Sequence, residues 1–171
     1  MMRKYGYILL LILFLAILQP ALLSSIGITV YMIDLVAIVV AAQAFTRNLT
    51  LSAGIAIYAG VLVDLFAPNA QLIGISSFGY LVVAILVNRY AKAPHNSPWR
   101  PVFVAASAPA IVVVVRALVI FITGQPINLG QLPSAIGSQL IASLIFAAFL
   151  VPLIDILDRP LYRDSLPLRV R

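Results

Sequence analysis

The sequence predicts an all-α membrane protein, a bundle of six transmembrane helices with N-terminus and C-terminus both cytoplasmic. Three observations predict it. The 171 residues are 63% hydrophobic and only 9% charged, whereas a soluble domain averages about 45–50% apolar and about 25% charged. The apolar residues gather in six runs of roughly 16 to 24 residues, which at the helical rise match a hydrocarbon core of about 30 Å. The basic residues fall between these runs, on alternate connections.

In chain order, residues 1–4 form a basic head with Arg3 and Lys4. The run 5–23 is almost pure Leu, Ile and Ala. A signal peptide shares such a head but has a shorter apolar region ending at a cleavage site. The run is therefore expected to remain as an uncleaved first span, facing lipid over much of its circumference. Span two, 28–45, holds Asp34 within an otherwise apolar run. Span three is 51–66 and span four 71–87, joined by a tight turn at Ala67-Pro68-Asn69-Ala70. The longest polar connection, 88–100, contains prolines that forbid a continuous helix. Span five is 101–123 and contains Arg116; span six is 134–157. The expected division is a single transmembrane domain over 1–158 and a basic cytoplasmic tail over 159–171.

Charge placement sets the orientation. With the N-terminus inside, the cytoplasmic segments hold every Lys and Arg except Arg116, and the outer loops hold none. That is the asymmetry of the positive-inside rule. The same placement argues against nucleic acid, which would need basic residues grouped on one face. The outer loops are too short for an external catalytic domain.

Three ionisable residues lie inside spans: Asp34, Asp64 and Arg116. Each costs about 2.5–3.5 kcal/mol at a helix centre on insertion scales, and such residues are functional candidates by default. Asp34 and Arg116 would sit roughly 10 Å below the outer boundary at helical rise, with Asp64 nearer to it. Arg116 is expected to pair with Asp34 or with Asp64. The charges either fix helix register or contact a ligand or partner. A proton relay would need a chain of acidic or His groups, and none is visible.

Ser52, Ala56, Gly60 and Asp64 recur every fourth residue and so share one helix face, with Gly74 as a further packing position on the next span. Small residues at this spacing let another helix approach closely. Ser134, Ser138 and Ala142 form a similar stripe. Either stripe serves internal packing or receives a helix from another protein. There is no nucleophile–base pair, phosphate loop or metal-ligand spacing. The chain has no Cys, and its single His, His95, falls in a loop. No catalysis, metal or cofactor is therefore expected. Tyr90 and Trp99 read as interfacial anchors.

The string Gly60-Val61-Leu62-Val63-Asp64-Leu65-Phe66, a short turn, Leu72-Ile73-Gly74 and then Tyr80-Leu81-Val82-Val83 resembles the pattern of the rod shape-determining protein MreD family. Asp34-Leu35 is similar to the acidic or polar site that follows the family's first helix. The segment 67–71 departs from the Ser/Gly turn more usual there. The resemblance implies a multi-pass, non-enzymatic component of the bacterial inner membrane, acting in cell-wall elongation. It implies MreC, a bitopic protein, as partner, and through it MreB, RodA and a class B penicillin-binding protein. The family is also similar in fold to the substrate-binding components of energy-coupling-type vitamin transporters, which implies the alternative of a small-molecule-binding subunit.

Overall fold

A computed structural model describes residues 6–25, 34–66, 73–92, 97, 99–124, 130 and 132–163, with the side chains of 22–25 and 158–163 outside the description. Six helices run through the described residues: α1 (Gly6–Ser25), α2 (Leu35–Thr46), α3 (Leu49–Phe66), α4 (Ile75–Ala91), α5 (Arg100–Ile122) and α6 (Leu132–Arg163). Three are long and apolar enough to cross a membrane: Leu49–Phe66, Arg100–Ile122 and Leu132–Leu157. The apolar helices Gly6–Ala21, Leu35–Thr46 and Ile75–Ala91 are shorter.

The helix boundaries follow from local chemistry. Span two, expected over 28–45, begins as a helix only at Leu35. Asp34 is its N-cap, and Asp34 Oδ1 accepts from the Ala37 backbone N–H at 3.0 Å. An aspartate side chain satisfies an orphan N–H of the first turn, so a helix starts readily after it. Asn48 does the same for α3, its Oδ1 accepting from Leu51 N at 3.3 Å. Pro101 lies in the first turn of α5, where its missing N–H costs nothing. Helix α6 continues through Arg163, five residues into the segment expected to be tail. The turn at 67–70 and His95 lie outside the described residues.

Packing explains why α2 can be so short. Its 12 residues span about 18 Å, and every one from Val36 to Ala44 is buried. It touches all five other helices. A helix that is apolar all round belongs in a core, and here it is the core. Helix α1 packs on α2 and α3 and exposes Leu10, Phe14 and Ile17 outward. A shallow cleft between α1 and α3 is lined by Ile8, Leu9, Thr50, Leu51, Gly54 and Ile55.

The most extensive helix–helix packing joins α3 with α4. Ser52, Ala56, Gly60 and Asp64 form one buried face of α3. Helix α4 answers with Ser76, Tyr80, Ala84 and Asn88, also every fourth residue and all buried. At Gly60 a Cβ would collide with the Ser77 backbone. Backbones meet there because neither side chain keeps them apart, the membrane analogue of small-residue packing.

This geometry separates two glycines of the same helix. Gly60→Val should destabilise the bundle by about 3 kcal/mol or prevent its folding, as overpacking at backbone contact leaves nothing flexible to yield. Gly54, where an added Cβ meets nothing within 4 Å, should accept Ala without loss. Thermal unfolding of the purified protein in one detergent reads both; equal effects would contradict the close approach.

Candidate functional site

Hydrogen bonds fix the helix directions and define two polar ends of the bundle. At one end the start of α1 meets the end of α2: Arg47 Nη2 donates to Tyr7 Oη at 3.4 Å. The Asn88 amide donates to Ala44 O at 3.2 Å and to Arg47 O at 2.7 Å. These two carbonyls belong to the C-terminal end of α2, where helix geometry leaves acceptors without intrahelical partners. Asn88 is therefore the last buried residue of the α4 stripe, and not the first residue of a loop. Arg100 donates to Tyr90 O, and its guanidinium lies 4.2 Å from the Tyr90 ring centroid and 5.9 Å from that of Phe45, within cation–π range. This end forms a latch that ties α1, α2, α4 and α5 together.

The opposite end gathers all three charged candidates. Asp34 is 5% exposed. The Tyr80 hydroxyl lies 2.8 Å from Asp34 Oδ1 and 2.9 Å from Oδ2. With the Ala37 N–H, the carboxylate thus has one donor from its own helix and one from α4. A buried carboxylate is tolerable only when donors replace its hydration. Asp64, 6% exposed, accepts from the Gly74 N–H at 2.7 Å. Arg116 is half-buried, and its Nη2 donates to Ser76 Oγ at 2.7 Å. Asp34, Asp64 and Arg116 all lie within electrostatic range of the Tyr80 hydroxyl.

The expected ion pair is not what the geometry holds. Among the described residues Arg116 meets a serine hydroxyl and neither carboxylate. Each carboxylate is already served, Asp34 by Ala37 and Tyr80 and Asp64 by Gly74. Gly74 also differs from expectation. It has φ +105°, and nothing lies within 4 Å of an added Cβ. Its place depends on conformation, since the left-handed region is open to glycine, and this turns its N–H back onto Asp64. Ser52, Ala56 and Gly60 lie on the face of α3 described above.

The bundle holds further buried polar groups besides the three charged residues. Tyr80 is fully buried, and its four-residue spacing from Ser76, Ala84 and Asn88 was a signal available in the sequence. On α6 the buried stripe is Gln139, Ser143, Ala147 and Val151, one residue round from Ser134, Ser138 and Ala142. Ser134 itself is exposed. Gln139 Oε1 and Ser143 Oγ are buried without a hydrogen-bond partner, as is Gln19 Oε1 of α1. Among the described residues no three His, Cys, Asp or Glu side chains group to hold a metal.

Removing the Tyr80 hydroxyl tests how far the bundle leans on Asp34. Tyr80→Phe should cost about 1.5–3 kcal/mol, the range for a hydrogen bond to a charged group. Asp34→Asn should cost less, since an amide oxygen still caps α2. In the double variant the losses should not add, because both remove one contact. A double-mutant cycle by thermal unfolding measures this; simple additivity would place the two residues in separate networks.

No curated relative and no solved structure matches the chain. The profile of the family described as rod shape-determining protein MreD matches residues 2–160, a stretch that takes in both polar ends of the bundle. The chain therefore belongs to the MreD family of membrane proteins, whose role is rod shape determination.

Proposed function

We propose that this protein is a six-pass, non-enzymatic scaffold of the bacterial inner membrane, which supports lateral peptidoglycan synthesis by binding MreC and linking it to the elongation synthases. The family match over residues 2–160 carries this reading. MreB, RodA and a class B penicillin-binding protein would join the same complex through MreC.

The latch end, with Arg47, Arg89, Lys92 and Arg100, is cytoplasmic in this reading, because cytoplasmic segments collect Lys and Arg. Both termini then lie inside, and Asp34, Asp64 and Arg116 lie towards the outer leaflet. The cleft between α1 and α3 is the docking face for the MreC helix. It is apolar, as a transmembrane partner requires, and exposed Gly54 lets a second backbone approach.

Affinity purification from native membranes should bring down a single-span protein with a periplasmic domain. Gly54→Leu should abolish that capture while leaving the melting midpoint unchanged, whereas loss of neither would remove the cleft from the interface. Recovery of the lone protein with a tightly held small molecule would favour the vitamin-transporter alternative instead. Orientation has its own readout, since the chain has no native Cys. A cysteine at Lys92 should react with a membrane-impermeant maleimide only in inverted vesicles, and one at Thr123 only in intact cells stripped of their outer barrier.

A further inference from the structure

The latch end presents charge that the bundle itself does not use. Arg100 donates to Tyr90 O, and its guanidinium lies 4.2 Å from the Tyr90 ring centroid. This contact ties the first residue of α5 to the last turn of α4, so Tyr90 and Trp99 stand at one level. Arg100 is buried in it, whereas Arg89 and Lys92, on either side of Tyr90 in the chain, are exposed. Lys92 keeps helical dihedrals, φ −73° and ψ −15°. Residues three apart on a helix are neighbours, with Cβ atoms about 5–6 Å apart, so the two cations can share one phosphate. The chain carries no Asp or Glu from Leu65 to Ile154. Neither helix, nor the connection between them, therefore supplies a counter-charge.

Next to these cations the surface is apolar. Leu86 lies four residues before Tyr90 and Phe103 four after Trp99, so each pair shares a helix face. All four are exposed, Leu86 by 48%, Tyr90 by 51%, Trp99 by 62% and Phe103 by 60%. Single apolar side chains facing lipid are ordinary. Here two such strips, on helices that pack together, run up to two aromatic rings and end beside two cations. Tyr and Trp keep a ring in the apolar layer and a polar atom at headgroup level. The surface thus offers, in order, what an anionic phospholipid needs for its acyl chain, its glycerol and its phosphate. An acidic protein surface would match the cations alone, without the aromatic and apolar steps beside them.

We propose that the α4–α5 junction holds an anionic phospholipid, with its phosphate on Arg89 and Lys92, its glycerol between Tyr90 and Trp99, and an acyl chain along Leu86 and Phe103. This surface is separate from the cleft between α1 and α3 and does not depend on which partner occupies that cleft.

The test uses the full-length protein in nanodiscs of equimolar phosphatidylglycerol and phosphatidylcholine, with native mass spectrometry reading the lipid kept on release. Phosphatidylglycerol should be kept about tenfold over phosphatidylcholine, since each basic residue at the surface adds to the attraction for anionic lipid. Arg89→Gln combined with Lys92→Gln should abolish the preference. The melting midpoint in pure phosphatidylcholine should stay the same, because both side chains are exposed. Lys92→Gln alone should give an intermediate ratio, and it decides if the double variant does not fold. Arg169→Gln combined with Arg171→Gln removes the same charge from the tail and should leave the preference intact; an equal loss there would reduce the effect to net charge and overturn the site. Excess sn-glycerol 3-phosphate should not displace the lipid. Displacement would assign the cations to a soluble phosphate and overturn the lipid as occupant. Equal retention of both lipids by the unaltered protein overturns the proposal outright and leaves the cations to an acidic protein.

Discussion

A carboxylate at the head of a wholly buried helix governs this bundle. Asp34 caps α2 and takes the Tyr80 hydroxyl. Its two contacts fix where the central helix starts and which helix stands beside it. Because α2 touches every other helix, that choice propagates. Its far end is held with equal economy, for Asn88 on the same face of α4 reaches the last carbonyls of α2. One stripe of α4 thus grips the central helix by its orphan donors at one end and its orphan acceptors at the other.

The pairing of α3 with α4 supplies rigidity of a different kind. Lipid tails are as apolar as Leu, so burying side chains between helices gains little in a bilayer. Close backbone approach at Gly60 and Ser77 gains dispersion contacts that lipid cannot match. The Asp64 contact with Gly74 then closes the end of the same hairpin opposite the latch. Packing and polar satisfaction therefore reinforce each other along one helix pair.

Composition and segment length made the helical class legible, and four-residue spacing made the buried face of α3 legible. The sequence was less informative wherever a polar residue could serve two purposes. Asp34 in an apolar run reads equally as a mid-span charge or as a cap, and only a partner in space decides between them. Opposite charges at similar depth suggest an ion pair, yet depth carries no angle around the helix axis. Arg116 accordingly meets Ser76. Ser134, Ser138 and Ala142 looked like the packing face of α6 because they are small. The helix instead buries the larger Gln139 one position along, which residue size alone would not choose.

The separation of 46 positions between Asp34 and Tyr80 has a consequence for how the molecule comes into being. A ribosome completes the central helix and its charged head well before it reaches the hydroxyl that will meet that head. A hairpin of α1 and α2 alone would present Asp34 to whatever surrounds it, with only the first turn of its own helix as donor. The innermost element of the finished protein is thus among the first made and the last enclosed, and the late helices complete its burial.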